Sequence, residues 1–397
     1  MTAGSETDRA VAASNTLLCL TLLWLAGNGM RITILAVPPV ISNIHDDLGM
    51  TATQIGILSG LPMVLFAAAA VPGSLLIARF GALAALIFGL FATALGSALR
   101  GASESIAWLY AASILTGFGV AVIQPAMPPL VRAWAPRRIG FATAVYTNGL
   151  LIGEILPIAL TIPIVLPMVA GSWRASFVVW AIPVAIIALI VALLAPRPAT
   201  TISAARKWWP DWRNGLIWRL GLILGSANAL YFASNAFIPD YLHQAGRDGE
   251  ITGALTALNI GQLPASFLLL MFAERLELKA WPYIACGILG LVSIIGVVFA
   301  NGIVLVLAAA TLGFVCAAML ILMLALPPLL SPPDDVHRTA AAMFTISYTC
   351  AVITPVLSGI CWDLTGVPAT AFIPIGLCAV LAITLAPKIV DPRRAVG

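Results

Sequence analysis

Residues 15–42 read NTLLCLTLLWLAGNGMRITILAVPPVIS. The run is long and apolar enough to cross the roughly 30 Å hydrocarbon core of a bilayer as one helix. Its single charged residue is Arg31. The fourteen residues before it are polar, the run is too long for a signal-peptide core, and no small-residue cleavage site punctuates it. It is therefore expected to stay on the chain as an uncleaved first span.

The rest of the 397 residues repeats this pattern. Eleven further runs qualify as spans: 52–78, 82–100, 105–131, 140–166, 173–195, 215–241, 250–272, 281–299, 303–329, 338–360 and 367–386. Hydrophobic residues make up 61% of the chain and charged residues 9%, against about 25% charged in a soluble domain. So few charges cannot cover a water-exposed surface, so most of the outside must face lipid. The expected fold class is an all-α membrane protein of twelve transmembrane helices in two pseudo-symmetric six-helix bundles.

Orientation follows from Lys and Arg in the loops. With the N-terminus inside, sixteen of the 20 basic residues lie on the cytoplasmic side, among them Arg9, Arg79, Arg132, Arg137, Arg138, Arg206, Arg393 and Arg394. Only Arg100, Arg174 and Arg247 fall outside, and Arg31 lies within a span. Both termini are expected in the cytoplasm. The expected divisions are a tail at 1–14, a first bundle at 15–195, a polar, basic and aromatic linker at 196–214, a second bundle at 215–386 and a tail at 387–397. The bundles echo each other. Gly27-Asn28-Gly29-Met30-Arg31 and Ala227-Asn228-Ala229-Leu230-Tyr231 stand 200 residues apart, and spans 4 and 10 both end in Pro-Pro-Leu. Two related halves around a midplane site is the plan of many secondary transporters.

Several runs together carry a family resemblance: Arg31-Ile-Thr-Ile-Leu-Ala-Val-Pro-Pro, Gly56-Ile-Leu-Ser-Gly-Leu-Pro-Met-Val-Leu-Phe, Ala78-Arg79-Phe80-Gly81, Gly117-Phe-Gly-Val-Ala and Pro136-Arg-Arg-Ile-Gly140. With Trp173-Arg174, Tyr348, Pro355, Gly359, Asp363 and Gly366, the chain resembles the cyanate / 2-nitroimidazole permease branch of the major facilitator superfamily over nearly its whole length. The resemblance implies a monomeric twelve-helix carrier in the bacterial inner membrane, working by alternating access. The chain departs from the branch at Gln124, at Phe344 and around Glu154.

Arg31 lies about 24 Å along its span at about 1.5 Å per residue. An Arg at that depth costs about 2.5–3.5 kcal/mol on insertion scales, so it is expected to face the protein interior and to serve a function. Glu154 lies at similar depth in span 5 and is its candidate partner. Three readings stay open. Arg31 binds an anionic group of the substrate, since a guanidinium forks onto carboxylate-like oxygens. Alternatively, the two residues form a purely structural bridge. In the third reading Glu154 takes up a proton and frees Arg31, coupling transport to the proton gradient.

Further candidates for substrate binding are Asn28, one turn below Arg31, and Asn228, Tyr231 and Asn235, whose spacing places them on one face of span 7. Gln262, Tyr348 and Gln124 complete the set. Each has a plain alternative, the hydrogen bonding between helices that polar residues commonly provide in membranes. Arg79, Arg132, Arg137 and Arg138 are candidates for a cytoplasmic gate or are topology signals only. The histidines, His45, His243 and His337, fall at or near loops, and the six cysteines read as small apolar packing residues.

The sequence contains no Walker-type phosphate loop, metal-spaced cluster or Gly-x-Ser-x-Gly elbow. No cofactor, enzymatic activity or nucleic-acid partner is expected. The expected partners are a small-molecule substrate, the bilayer and protons as a candidate coupling ion. The leading reading is a carrier of a small anionic or polar solute, of the cyanate, nitrate or small-carboxylate kind. A multidrug or organic-cation exporter and, from another class, a membrane receptor or sensor remain as alternatives.

Overall fold

The computed structural model describes residues 3–197 and 207–389, with side chains from Thr16 onward apart from 52 and 53. The expectations for Arg206, Arg393 and Arg394, for linker residues 198–206 and for most of the C-terminal tail lie outside the described residues, and the side chain of Arg9 is not among those described.

Among the described residues, twelve helices are long and apolar enough to cross a membrane. They are span 1, Thr16–Leu48; span 2, Gln54–Phe80; span 3, Ala82–Arg100; span 4, Ile106–Trp134; span 5, Ile139–Met168; and span 6, Trp173–Leu194. There follow span 7, Gly215–Gln244; span 8, Asp248–Leu276; span 9, Ala280–Phe299; span 10, Gly302–Leu330; span 11, Pro333–Thr365; and span 12, Pro368–Lys388. The expected all-α fold is found. Helix starts are set by short polar side chains. Thr51 and Gln54 form a reciprocal capping box, and Ser105, Ser172 and Asn214 each accept a backbone N–H of the first turn.

Prolines and glycines break some runs that read as continuous. Helix Ala3–Leu35 stops before Pro38-Pro39 and resumes as Ile41–Leu48, six residues beyond the expected end of span 1. Span 5 widens to a π-turn at Thr161–Val165 around Pro163, which has no N–H to donate. Span 8 is broken at Gly261, where Pro264 cannot donate to the carbonyl of Ile260.

The chain forms two compact units, Met1–Trp209 with Pro332–Ala341, and Pro210–Ser331 with Ala342–Gly397. In the first, spans 1 and 5 touch backbone to backbone. A Cβ on Gly27 would lie 2.0 Å from the carbonyl oxygen of Tyr146, one on Gly149 2.2 Å from that of Trp24, and one on Gly153 2.6 Å from that of Asn28. Gly149 and Gly153 form the small-xxx-small pattern that lets membrane helices approach closely. In the second unit, Gly221 and Gly225 of span 7 repeat the spacing against Ile346 and Cys350 of span 11. Glycines thus let two spans approach in each unit, carried on spans 1 and 5 in the first and on span 7 in the second.

Candidate functional site

The close contact of spans 1 and 5 decides where their charges lie. Arg31 and Glu154 meet, Nε to Oε1, at 3.3 Å, with side chains 7% and 16% exposed. The guanidinium also lies over the ring of Phe66 in span 2, 5.7 Å from its centroid. A pair so little exposed gains from its mutual attraction roughly what it loses in hydration, but removing one partner alone is costly. The arrangement can exchange one anion for another on the guanidinium, or respond to neutralisation of the carboxylate.

Below this pair, Trp24 Nε1 donates to Asn148 Oδ1 at 3.0 Å, again joining spans 1 and 5, and Asn28 Nδ2 donates to the carbonyl of Trp24 at 3.0 Å. Asn28, the candidate brace for Arg31, therefore has its amide bonded one turn back along its own helix. Gln124 and Tyr146 are buried in the same unit. Arg79, Arg137 and Arg138 are exposed, with Arg138 stacked over Phe141 at 4.2 Å, and Arg132 is half-buried.

Arg100 corrects the sequence reading. Counted as an outer-loop charge, it is instead 1% exposed in the last turn of span 3. Its Nε donates to Ser113 Oγ at 2.9 Å, its Nη1 to the carbonyl of Thr33 at 2.8 Å, and it lies over the Phe177 ring. The reason is the end of the first helix. Val37 turns its N–H to Ile34 instead of Thr33, and Arg100 caps the carbonyl so released. Arg174, on the same side, is a surface charge as expected, paired with Asp47 and bonded to the carbonyl of Ser103. All three histidines lie at or near helix ends, as expected; His45 and His243 are exposed, and His337 is buried at the start of helix Val336–Thr365.

In the second unit the face expected of span 7 divides. Tyr231 Oη donates to Asn259 Oδ1 at 2.6 Å, Asn259 Nδ2 donates to Asn235 Oδ1 at 3.1 Å, and Asn235 Nδ2 returns to the carbonyl of Tyr231. Asn228 lies on another side and donates to Ser347 Oγ of span 11 at 2.8 Å. Gln262 is buried beside the break in span 8, and Tyr348 stacks on Phe344 with ring centroids 6.2 Å apart. Asn259 and Ser347 were passed over in the sequence. Asn259 carried a legible signal, a lone amide in an apolar run three residues before Gln262. Ser347 carried none, because a small hydroxyl in a span bonds its own helix as readily as a neighbour.

The profile of the Major Facilitator Superfamily matches residues 19–255. The cyanate transport protein CynX of Escherichia coli (strain K12) is 25% identical over 357 residues, covering 87% of this chain and 90% of that one. The uncharacterised transporter YycB of Bacillus subtilis (strain 168) is 27% identical over 259 residues. That match covers 64% of this chain and spans only 63% of the relative's length. Among solved structures, the superfamily transporter FucP in its outward conformation has a TM-score of 0.73 at 16% identity, covering 94% of this chain and 99% of that one. At that identity the likeness speaks for the fold alone.

Proposed function

From the premise that the chain belongs to the major facilitator superfamily, and is therefore a multi-pass membrane protein of a secondary-transport family, we propose that it carries a small anionic solute bound by Arg31. The observation that supports this is the buried guanidinium of span 1, held between Glu154 and the Phe66 ring. Its planar fork suits a compact anion of the cyanate, nitrate or carboxylate kind, and one relative is named for cyanate. In this reading a proton taken up by Glu154 removes the internal counter-charge, and the solute anion replaces it on Arg31. One proton then accompanies one anion, and the loaded site has the same net charge as the empty one. The carrier acts as a monomer in the bacterial inner membrane with both termini cytoplasmic, as the loop charges suggest.

A second reading draws on the exposures. Glu154 is the more accessible of the pair, 16% against 7%, which suits an organic cation taken up on the carboxylate and exported. Proteoliposome flux separates the two. Uptake of labelled cyanate, nitrate and small carboxylates is measured against efflux of cationic dyes, in the wild type, Arg31→Lys, Arg31→Ala and Glu154→Gln at several pH values. Anion flux lost in Arg31→Ala and made insensitive to pH in Glu154→Gln is the expected result. Normal anion flux in Arg31→Ala would overturn the proposal, and dye efflux lost only in Glu154→Gln would favour the second reading.

A further inference from the structure

The first unit holds a second site, separate from the Arg31 pair and not used in the transport reading. A cavity of about 830 Å³ opens among the ends of spans 2, 3, 4 and 6 and the first residues of span 11. One side of it is apolar, formed by Ile77, Phe80, Leu83, Ile87 and Leu193. Phe80 and Leu193 are 67% and 73% exposed. In a membrane protein such side chains are turned towards lipid rather than water, so the cavity is bordered by groups that acyl chains solvate.

The polar side of the cavity is basic. Arg132 and Arg197 both line it, and Asp334 is the only carboxylate among the lining residues. Residues 81–84, the first turn of span 3, also line it. That helix begins at Gly81 with no side-chain cap, so the positive end of its dipole adds to the two guanidinium charges. A cavity with one apolar side, an exposed apolar rim and a net positive polar side matches an amphiphile with an anionic head.

We propose that this cavity binds an anionic phospholipid. Its phosphate is held by Arg132 and Arg197, and its acyl chains run along Phe80, Leu83, Ile87 and Leu193. Pockets of about 300–1,000 Å³ enclose drug-sized ligands, so this one takes a headgroup and the upper part of the chains. The end of the bundle concerned is the one where the basic residues collect. Charge asymmetry puts that end on the cytoplasmic side, where anionic lipids are concentrated and basic pockets between spans bind their headgroups.

The test is native mass spectrometry of the full chain in detergent, titrated with phosphatidylglycerol, phosphatidylcholine or inorganic phosphate. Phosphatidylcholine carries the same phosphate but adds a choline cation that the two guanidinium groups repel, so phosphatidylglycerol is expected to bind about tenfold more tightly. The Arg132→Gln/Arg197→Gln double variant is expected to lose that preference. Arg197→Gln alone lies beyond the last turn of span 6 on an exposed residue, so it keeps the fold and is expected to weaken phosphatidylglycerol binding in the same direction. Equal binding of the two lipids overturns the proposal. So does a preference unchanged in Arg197→Gln and the double variant, or inorganic phosphate competing with the lipid at similar concentration, which marks a site for a soluble anion.

Discussion

Replacing Arg31 by Met removes a buried cation and leaves the Glu154 carboxylate, 16% exposed, without its counter-charge. Breaking a buried pair from one side costs about 3–5 kcal/mol, because the charge left behind is neither hydrated nor paired. Glu154→Gln is milder, about 1–3 kcal/mol, since the amide oxygen still accepts a hydrogen bond. Removing both charges at once discards the pair together with its desolvation penalty, and such replacements are often neutral. The double variant is therefore expected within about 1 kcal/mol of the wild type, well short of the sum of the single losses. Unfolding in mixed micelles across a denaturant titration measures the four stabilities, and anion flux is read on the same preparations. The double variant is expected to be stable but inactive in anion transport, which separates a solute-binding role from a structural one. Additive single losses would refute the direct coupling of the two charges. Wild-type flux in the double variant would reduce the pair to a structural bridge.

Three further outcomes follow. Gly149→Ala places a Cβ 2.2 Å from the carbonyl of Trp24, where ordinary contacts are 3.4–4 Å. The helices must part by about 1 Å, at about 1–3 kcal/mol, and thermal unfolding is expected to fall together with anion flux. Arg100→Gln loses the cap on Thr33 and the bond to Ser113, costing about 2–3 kcal/mol, with partial recovery in Arg100→Lys measured by the same unfolding assay. Glu277, between spans 8 and 9, has its carboxyl pushed up to about 7, by burial first and by Glu274 second. The folded chain then holds a proton there that the unfolded chain releases. The contribution of Glu277 to stability is full below the ordinary value of 4.5 and falls as pH rises towards about 7. A thermal-shift series from pH 5 to 8 is expected to slope downward less in Glu277→Gln than in the wild type.

The spans were legible because lipid leaves little freedom: about 20 apolar residues must follow one another, and polar connectors interrupt them. Their internal breaks were less so. Pro264 and Pro163 were visible, but whether a proline bends, widens or merely ends a helix depends on which neighbour takes up the freed carbonyl. Depth counting from the ends of spans 1 and 5 placed Arg31 and Glu154 at one level, and the structure brings them together. Arg100 was misread for a related reason. A charge at a span boundary looks like a loop charge unless one knows that Val37 has turned away and left the Thr33 carbonyl open. The face of span 7 was drawn from spacing alone, which fixes direction around a helix but not which neighbours stand there, so Asn228 was grouped with residues that bond elsewhere.

The seam of Gly27, Gly149 and Gly153 bears on how mutational data for this chain are to be interpreted. Every side chain introduced there collides with a peptide carbonyl, so a saturation scan scored by growth or uptake will mark all three positions as intolerant. They will resemble ligand contacts, although a glycine has no side chain with which to touch a solute. Cysteine-accessibility mapping carries the same hazard, because the probe residue itself displaces the helix that it is meant to report on. Positions flanking the seam, such as Thr147 and Leu150, are the appropriate controls, since they share its depth but already carry side chains.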